Sequence, residues 1–439
     1  MLLSKSIPFD IVNTIVQQLH DDPVALRTAS LVSHSFLIPS QRCLFSKIDL
    51  WVNYSRGGGY AKLRQLLCLF TERPDLPLHV RHFHLSTSGE AEPPFTESVC
   101  AIDSCIQSLL LLLQNVRSFT LYTSWDRLTI TCQNAILQLC NSPQLNHIDA
   151  QRLHAFPMAC FSKISRVSRF TLRGTRISYL PKGEHKTTVM EQDILPRMKY
   201  CLDILEFDEN SFNTQTPDRF SNTFTQPSSF LDISHLWLLK LNGNSIELME
   251  EAWNIIQVAA ATLKYFIWDL LSYRLGPPDN EFHHTKPFGT IDISRMSNLH
   301  FLAFAIGVAQ ANNTWILNSL ASIAGRNRLE TLMIAIYHHP CRTDSLNIRD
   351  FLTPLDRQLA SGNFPNLITV IIYLGVPDEE TFSTKDTRIT RDFIIDGMPL
   401  LRKTEILRVE NIDALRRDSG PFCVDHILAM PSTWKRDVV

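Results

Sequence analysis

The chain has 439 residues, of which 44% are hydrophobic and 20% charged, and its formal net charge is -2. That balance supplies a large folded core and excludes a chain disordered over most of its length. No basic tract exceeds a pair of residues, so the electrostatic footprint of a nucleic-acid binder or a polybasic membrane anchor is missing. The length implies two or three folded units.

The opening residues, 1–10, do not read as a secretory signal. Such a signal needs roughly 7–15 uninterrupted apolar residues, and Asp10 breaks the run. The most apolar stretch, residues 109–113, is bounded by Ser108 and Gln114. It falls far short of the ~20 residues of a membrane span and reads as a buried core helix. Ten cysteines are scattered with no Cys-x-x-Cys pair. This is the spacing of neither a zinc ribbon nor a redox motif, so reduced thiols in the cytoplasm or nucleus are expected.

Helix signals begin at once. Pro8 suits a first helical position, and Asp10 complements the helix dipole in the first turn. Ile11, Ile15 and Leu19 fall four apart, with Val12 and Val16 widening the stripe. Asp22-Pro23 predicts a second start leading into Leu26, Ala29, Ser30 and Leu31, and Pro39 a third carrying Leu44 and Phe45. Three short helices cannot bury much alone, so a partner or neighbouring domain is expected.

The order Ile7-Pro8-x-Asp10-Ile11, Leu19, Asp22-Pro23, Leu26-Arg27, Ser30-Leu31-Val32-Ser33-x-Ser35-Phe36 resembles the F-box, in the form common in mushroom-forming fungi. The resemblance covers residues 5–48. It implies docking on a Skp-family linker, which joins a cullin-based ubiquitin ligase. The residues it places toward the linker are Ile7, Pro8, Ile11, Ile15, Leu26, Leu31, Val32 and Phe36. The family usually carries leucine where Ile7 stands, a basic residue at His34 and often tryptophan at Phe36. Read from the residues alone, the same helices could simply cap the larger C-terminal region.

Residues 49–78 read as a linker and connecting helix, with Gly57-Gly58-Gly59 as a flexible joint. Across 79–410 the pattern apolar-x-x-apolar-x-apolar recurs, from Val80/Phe83/Leu85 to Leu367/Val370/Ile372. Many copies come after a helix-like run and a breaker such as Ser142-Pro143, Arg326-Asn327 or Pro365-Asn366. Helix, breaker and short strand at intervals of about 22–38 residues predict an irregular leucine-rich-repeat-like α/β solenoid. A doubly wound α/β domain is the alternative.

Alternation assigns the strand faces. Between the apolar triplets, early repeats carry His82, His84, Ser118, Thr120, His147, Asp149, Arg169 and Thr171. Later ones carry Leu238, Tyr265, Ile267, Phe301, Ala303, Met333 and Ile371. An apolar face of that extent implies either binding or covering. Tyr265, Ile267, Phe301, Met333 and Ile371 are thus a possible target-binding set; alternatively the tail, 411–439, folds back over them. Covering is the commoner outcome. Polar stretches such as 209–229 and 275–290 read as edge loops.

Catalytic signatures are missing. No Gly-x-Ser-x-Gly elbow occurs, and no Lys-Ser/Thr stands after the glycine triplet at phosphate-loop spacing. His79, His82 and His84 have no further zinc ligand close in sequence. The expectation is an adaptor without catalytic residue, metal or cofactor, binding a Skp-family linker and an unknown protein target, with neither nucleic acid nor membrane as partner. A repeat scaffold with a helical cap and no ligase role is the alternative function.

Overall fold

The first helix starts where the sequence places a proline. In a computed structural model of the chain, α1 spans Phe9–Gln18 and Pro8 immediately precedes it. Helix α2, Pro23–Val32, is capped by Asp22, whose carboxylate accepts hydrogen bonds from Val24 N at 3.0 Å and Ala25 N at 2.9 Å. Helix α3, His34–Leu44, begins earlier than expected, because Pro39 lies inside it instead of opening it. An interior proline removes one backbone hydrogen bond. Here the residue whose carbonyl loses that partner, Ser35, is exposed to water.

The structure describes residues 7–54, 59–88, 97–154, 156–157, 167–175, 177–178, 200–208, 221, 231–243, 246–269, 293–307, 314–325, 327–337, 345–375 and 384–411. The chain divides into two units: Met1–Tyr200 with Asn213–Asp218, and Cys201–Phe212 with Arg219–Val439.

After α1–α3, five strands of the first unit form its run of parallel sheet, apart from a short pair at Phe156–Pro157 and Ile177–Ser178: β1 Lys47–Asn53, β2 His82–Ser88, β3 Ser118–Ser124, β4 His147–His154 and β5 Arg169–Arg173. Each pairs in parallel with the next in the chain, in the register Lys47, His82, Ser118, His147, Arg169. Between them run α4 Tyr60–Glu72, α5 Glu97–Leu112 and α6 Ile130–Cys140. The sheet therefore starts at Lys47, inside the segment read as F-box and linker. Alternation of Leu50 and Val52, both buried, with exposed Asp49 and Trp51 is the strand signal there. Gly59, with φ of 86°, is more than a flexible joint: a Cβ there would collide with the Trp51 carbonyl oxygen.

Phe83, Leu85, Phe119, Leu121, Phe170 and Leu172 form the buried face of this sheet, and Ile102, Ile106 and Leu109 of α5 and Ile136 of α6 are buried as well. Phe83 and Phe119 stack with centroids 6.0 Å apart. One acid ties the layers together. Tyr54 Oη donates to Asp103 Oδ1 at 2.7 Å, and Thr129 N donates to Oδ2 at 2.6 Å. Asp103 is fully buried, so these bonds supply what water would otherwise provide.

Besides the short strand Leu231–Asp232, seven strands of the second unit form its run of parallel sheet: β6 Ile204–Asp208, β7 Leu238–Asn242, β8 Tyr265–Asp269, β9 Phe301–Gly307, β10 Thr331–Tyr337, β11 Thr369–Gly375 and β12 Leu407–Asn411. These too pair in parallel and in chain order. Helices α7 Ile246–Ala259, α8 Thr314–Ile323, α9 Ser345–Ala360, α10 Thr384–Gly397 and α11 Pro399–Lys403 intervene. Trp268 and Phe304 pack on Trp315 of α8, with centroids 5.0 and 5.2 Å away. Neither unit shows, among its described strands, the reversal of strand order that defines a doubly wound sheet. The fold is mixed α/β with open parallel sheet.

Helix α11 depends on a neighbour for its start. Leu400 N and Leu401 N donate to the two carboxylate oxygens of Asp356, at 2.9 and 2.8 Å, and Asp356 is 2% exposed. Asp356→Ala is expected to lower unfolding free energy by about 1–2 kcal/mol, the upper range for a lost cap. Denaturant titration measures it, and a change below a few tenths contradicts the capping role.

Candidate functional site

Helices α1–α3 have a small core of their own. Val12, Val16 and Leu26 are buried together, with Leu19, Phe36, Cys43 and Leu44 packed around them. A helix bearing one apolar stripe would have nothing left over. Here a second apolar surface remains outside. Ile7, just before α1, and Ile11 and Ile15 on it are 51%, 52% and 41% exposed. At the end of α2, Leu31 is 86% and Val32 69% exposed. Pro8 is exposed as well.

The eight residues that the F-box resemblance places toward a linker therefore divide. Ile7, Pro8, Ile11, Ile15, Leu31 and Val32 face outward. Leu26, at 1% exposure, lies in the module's own core, and Phe36 is half-buried against the same cluster. These two hold the helices together and offer little side chain to a partner. Phe9, Val24 and Ile38 also stand exposed and were missing from the set.

In the first unit, the sheet face opposite the phenylalanines carries three rows across five strands. They are Lys47, His82, Ser118, His147, Arg169; then Asp49, His84, Thr120, Asp149, Thr171; then Trp51, Ser86, Tyr122, Gln151, Arg173. No aliphatic side chain occurs in them. Asp149 and Thr171 are buried at its floor, and the others are half or fully exposed. The acids are engaged: Asp49 lies 3.5 Å from Lys47 Nζ and 3.4 Å from His84 Nδ1, and Asp149 lies 3.5 Å from Arg173. Arg152 reaches Tyr122 Oη at 3.0 Å.

The corresponding face of the second unit is closed. Ile204, Leu238, Ile267, Phe301, Ala303, Ala305, Met333, Ala335 and Ile371 form one buried cluster, with Trp237, Tyr265 and Tyr373 packed on it. This corrects the reading of Tyr265, Ile267, Phe301, Met333 and Ile371 as a possible target-binding surface, since four are buried and Tyr265 is half-buried. Parallel sheets are ordinarily covered on both faces, which strand alternation alone does not reveal. The tail expected to cover this cluster lies, from residue 412, outside the described residues. Beside the cluster a buried ion pair joins β6 to β7: Lys240 Nζ lies 2.9 Å from Glu206 Oε1, which also accepts from Asn242 Nδ2 at 3.1 Å.

Among the described residues, no helix is long and apolar enough to cross a membrane. Neither the protein-family models nor the curated proteins contain a match to this chain.

Proposed function

We propose that the protein is a target-recruiting adaptor of a Skp–cullin–F-box type ubiquitin ligase. In this reading α1–α3 are the F-box and the two runs of parallel strands are a leucine-rich-repeat-like array. The observation that carries it is the second apolar surface on a module that already has a core. Full burial of an isoleucine or leucine contributes roughly 1.5–3 kcal/mol. Half-burying five such side chains on a partner is then of order 5 kcal/mol before the cost of association, a contribution to which the partner's further contacts with the module add.

Strand order supports the array. When each strand pairs only with its neighbours in sequence, every repeat contacts only the adjacent repeats. Closure of the second unit's inner face leaves the polar rows of the first unit as the accessible strand surface, and these are assigned to target recognition. The adaptor performs no covalent chemistry. It raises the effective concentration of a target beside the transferring enzyme.

Coexpression with a Skp-family linker tests the reading directly. A stable stoichiometric complex on size exclusion is expected. Two folded proteins that elute apart contradict it and leave a repeat scaffold with a helical cap.

A further inference from the structure

Cys201, Asp232 and His235 converge in the second unit, and adaptor function has no use for them. The thiol sulfur, a carboxylate oxygen and an imidazole nitrogen all lie within 4.8 Å of one another. Backbone hydrogen bonding builds the arrangement. Leu202 N donates to the Asp232 carbonyl at 2.9 Å, which sets Cys201, the last residue of the short strand Tyr200–Cys201, beside Asp232. Ser234 N donates to Asp232 Oδ1 at 2.9 Å, and Leu236 N donates to the Ile233 carbonyl at 3.0 Å. This tight turn brings His235 back over Asp232.

The chain next to Cys201 is fixed as well, because the Asp203 carbonyl accepts from Trp237 N and Leu238 N at 3.0 and 3.2 Å. A carboxylate, a thiol and an imidazole set this close together make a place that favours a cation. Cys201 and His235 are exposed and Asp232 is half-buried, so an ion can enter without opening the fold.

We propose that Cys201, Asp232 and His235 form a binding site for a divalent transition-metal ion, with zinc as the best match. The donor set selects it. Thiolate disfavours magnesium and calcium, which take oxygen ligands, whereas zinc accepts sulfur at ~2.3 Å and nitrogen or oxygen at ~2.0–2.2 Å. Those bond lengths place ligand atoms roughly 3.3–3.8 Å apart in a tetrahedron, within rotamer reach of the present spacing. On binding, the Cys201 thiol releases its proton to solvent and the sulfur lone pair forms the metal bond. Water completes the fourth position. The ion joins the end of one segment to the turn before β7, which stabilises the second unit.

The proposal is independent of ligase binding and is tested on the full chain. Protein stripped by chelator is titrated with zinc alone, and with cobalt as the spectroscopic probe. One high-affinity ion per chain is expected, together with a thiolate-to-cobalt charge-transfer band. Cys201→Ser should abolish the band, and His235→Ala should weaken binding at least tenfold. Both side chains are exposed, so the metal-free variants should melt with the metal-free parent; Asp232→Asn, which keeps shape, provides a third reading. No saturable zinc binding overturns the proposal. So does binding that is unchanged in all three variants, which would place the metal on other cysteines.

Discussion

Replacing Ile11 and Ile15 together by lysine is expected to weaken binding to a Skp-family linker at least about a hundredfold while leaving the melting temperature of the free chain nearly unchanged. Both side chains stand about half exposed on α1, so lysine costs the free protein little, and its helix propensity is close to that of isoleucine or better. In a complex, the substitution removes two apolar anchors and buries two ammonium groups, several kcal/mol in total. Val16→Lys is the control on the same helix. Val16 is 1% exposed and sits in the module's core, so this change should lower the melting temperature as well as binding. Unfolding caused by the Ile11/Ile15 pair would show those residues consumed internally, and would favour the helical-cap scaffold.

Lys240→Met is expected to destabilise the second unit by about 3–5 kcal/mol, the usual cost of removing one partner from a buried ion pair. The Lys240 and Glu206 side chains are 4% and 2% exposed, so the Glu206 carboxylate loses its cation where water does not replace it. Adding Glu206→Leu should return part of the loss, because an apolar pair of similar volume is often neutral or better, while the buried Asn242 amide loses the oxygen it donates to. Chemical denaturation of the two variants measures both steps. A single-variant cost under about 1 kcal/mol would mean that this face is open to water. The apolar cluster beside it would then again be available to a target.

Periodicity made the middle of the fold legible. The apolar triplets containing Phe83 and Leu85, Phe119 and Leu121, or Val370 and Ile372 each mark a strand. The two end strands escaped, since both carry fewer buried side chains: Lys47–Asn53 straddles the bounds read for F-box and linker, and Leu407–Asn411 those read for array and tail. Pro39 misled because proline is tolerated inside a helix when the carbonyl it orphans reaches water. Face assignment by alternation was sound for polar positions: His82, His84, Ser118 and His147 share one face in register. It failed to say which face stays open, because covering is a property of packing and not of period. At the amino end, the sequence pattern showed a stripe but not its division. Val12 and Val16 turn inward, while Ile11 and Ile15, one residue earlier in each case, turn outward. Cys201 and the Asp232–His235 turn are too far apart in sequence for any spacing rule to join them.

Hydrogen–deuterium exchange of the full chain, with and without a Skp-family linker, tests the exposed apolar surface most directly. Slower exchange confined to residues 7–38, with the strands of both units unaffected, is the expected result. No protection there in the presence of saturating folded linker, or protection found only on the strand faces, would contradict it.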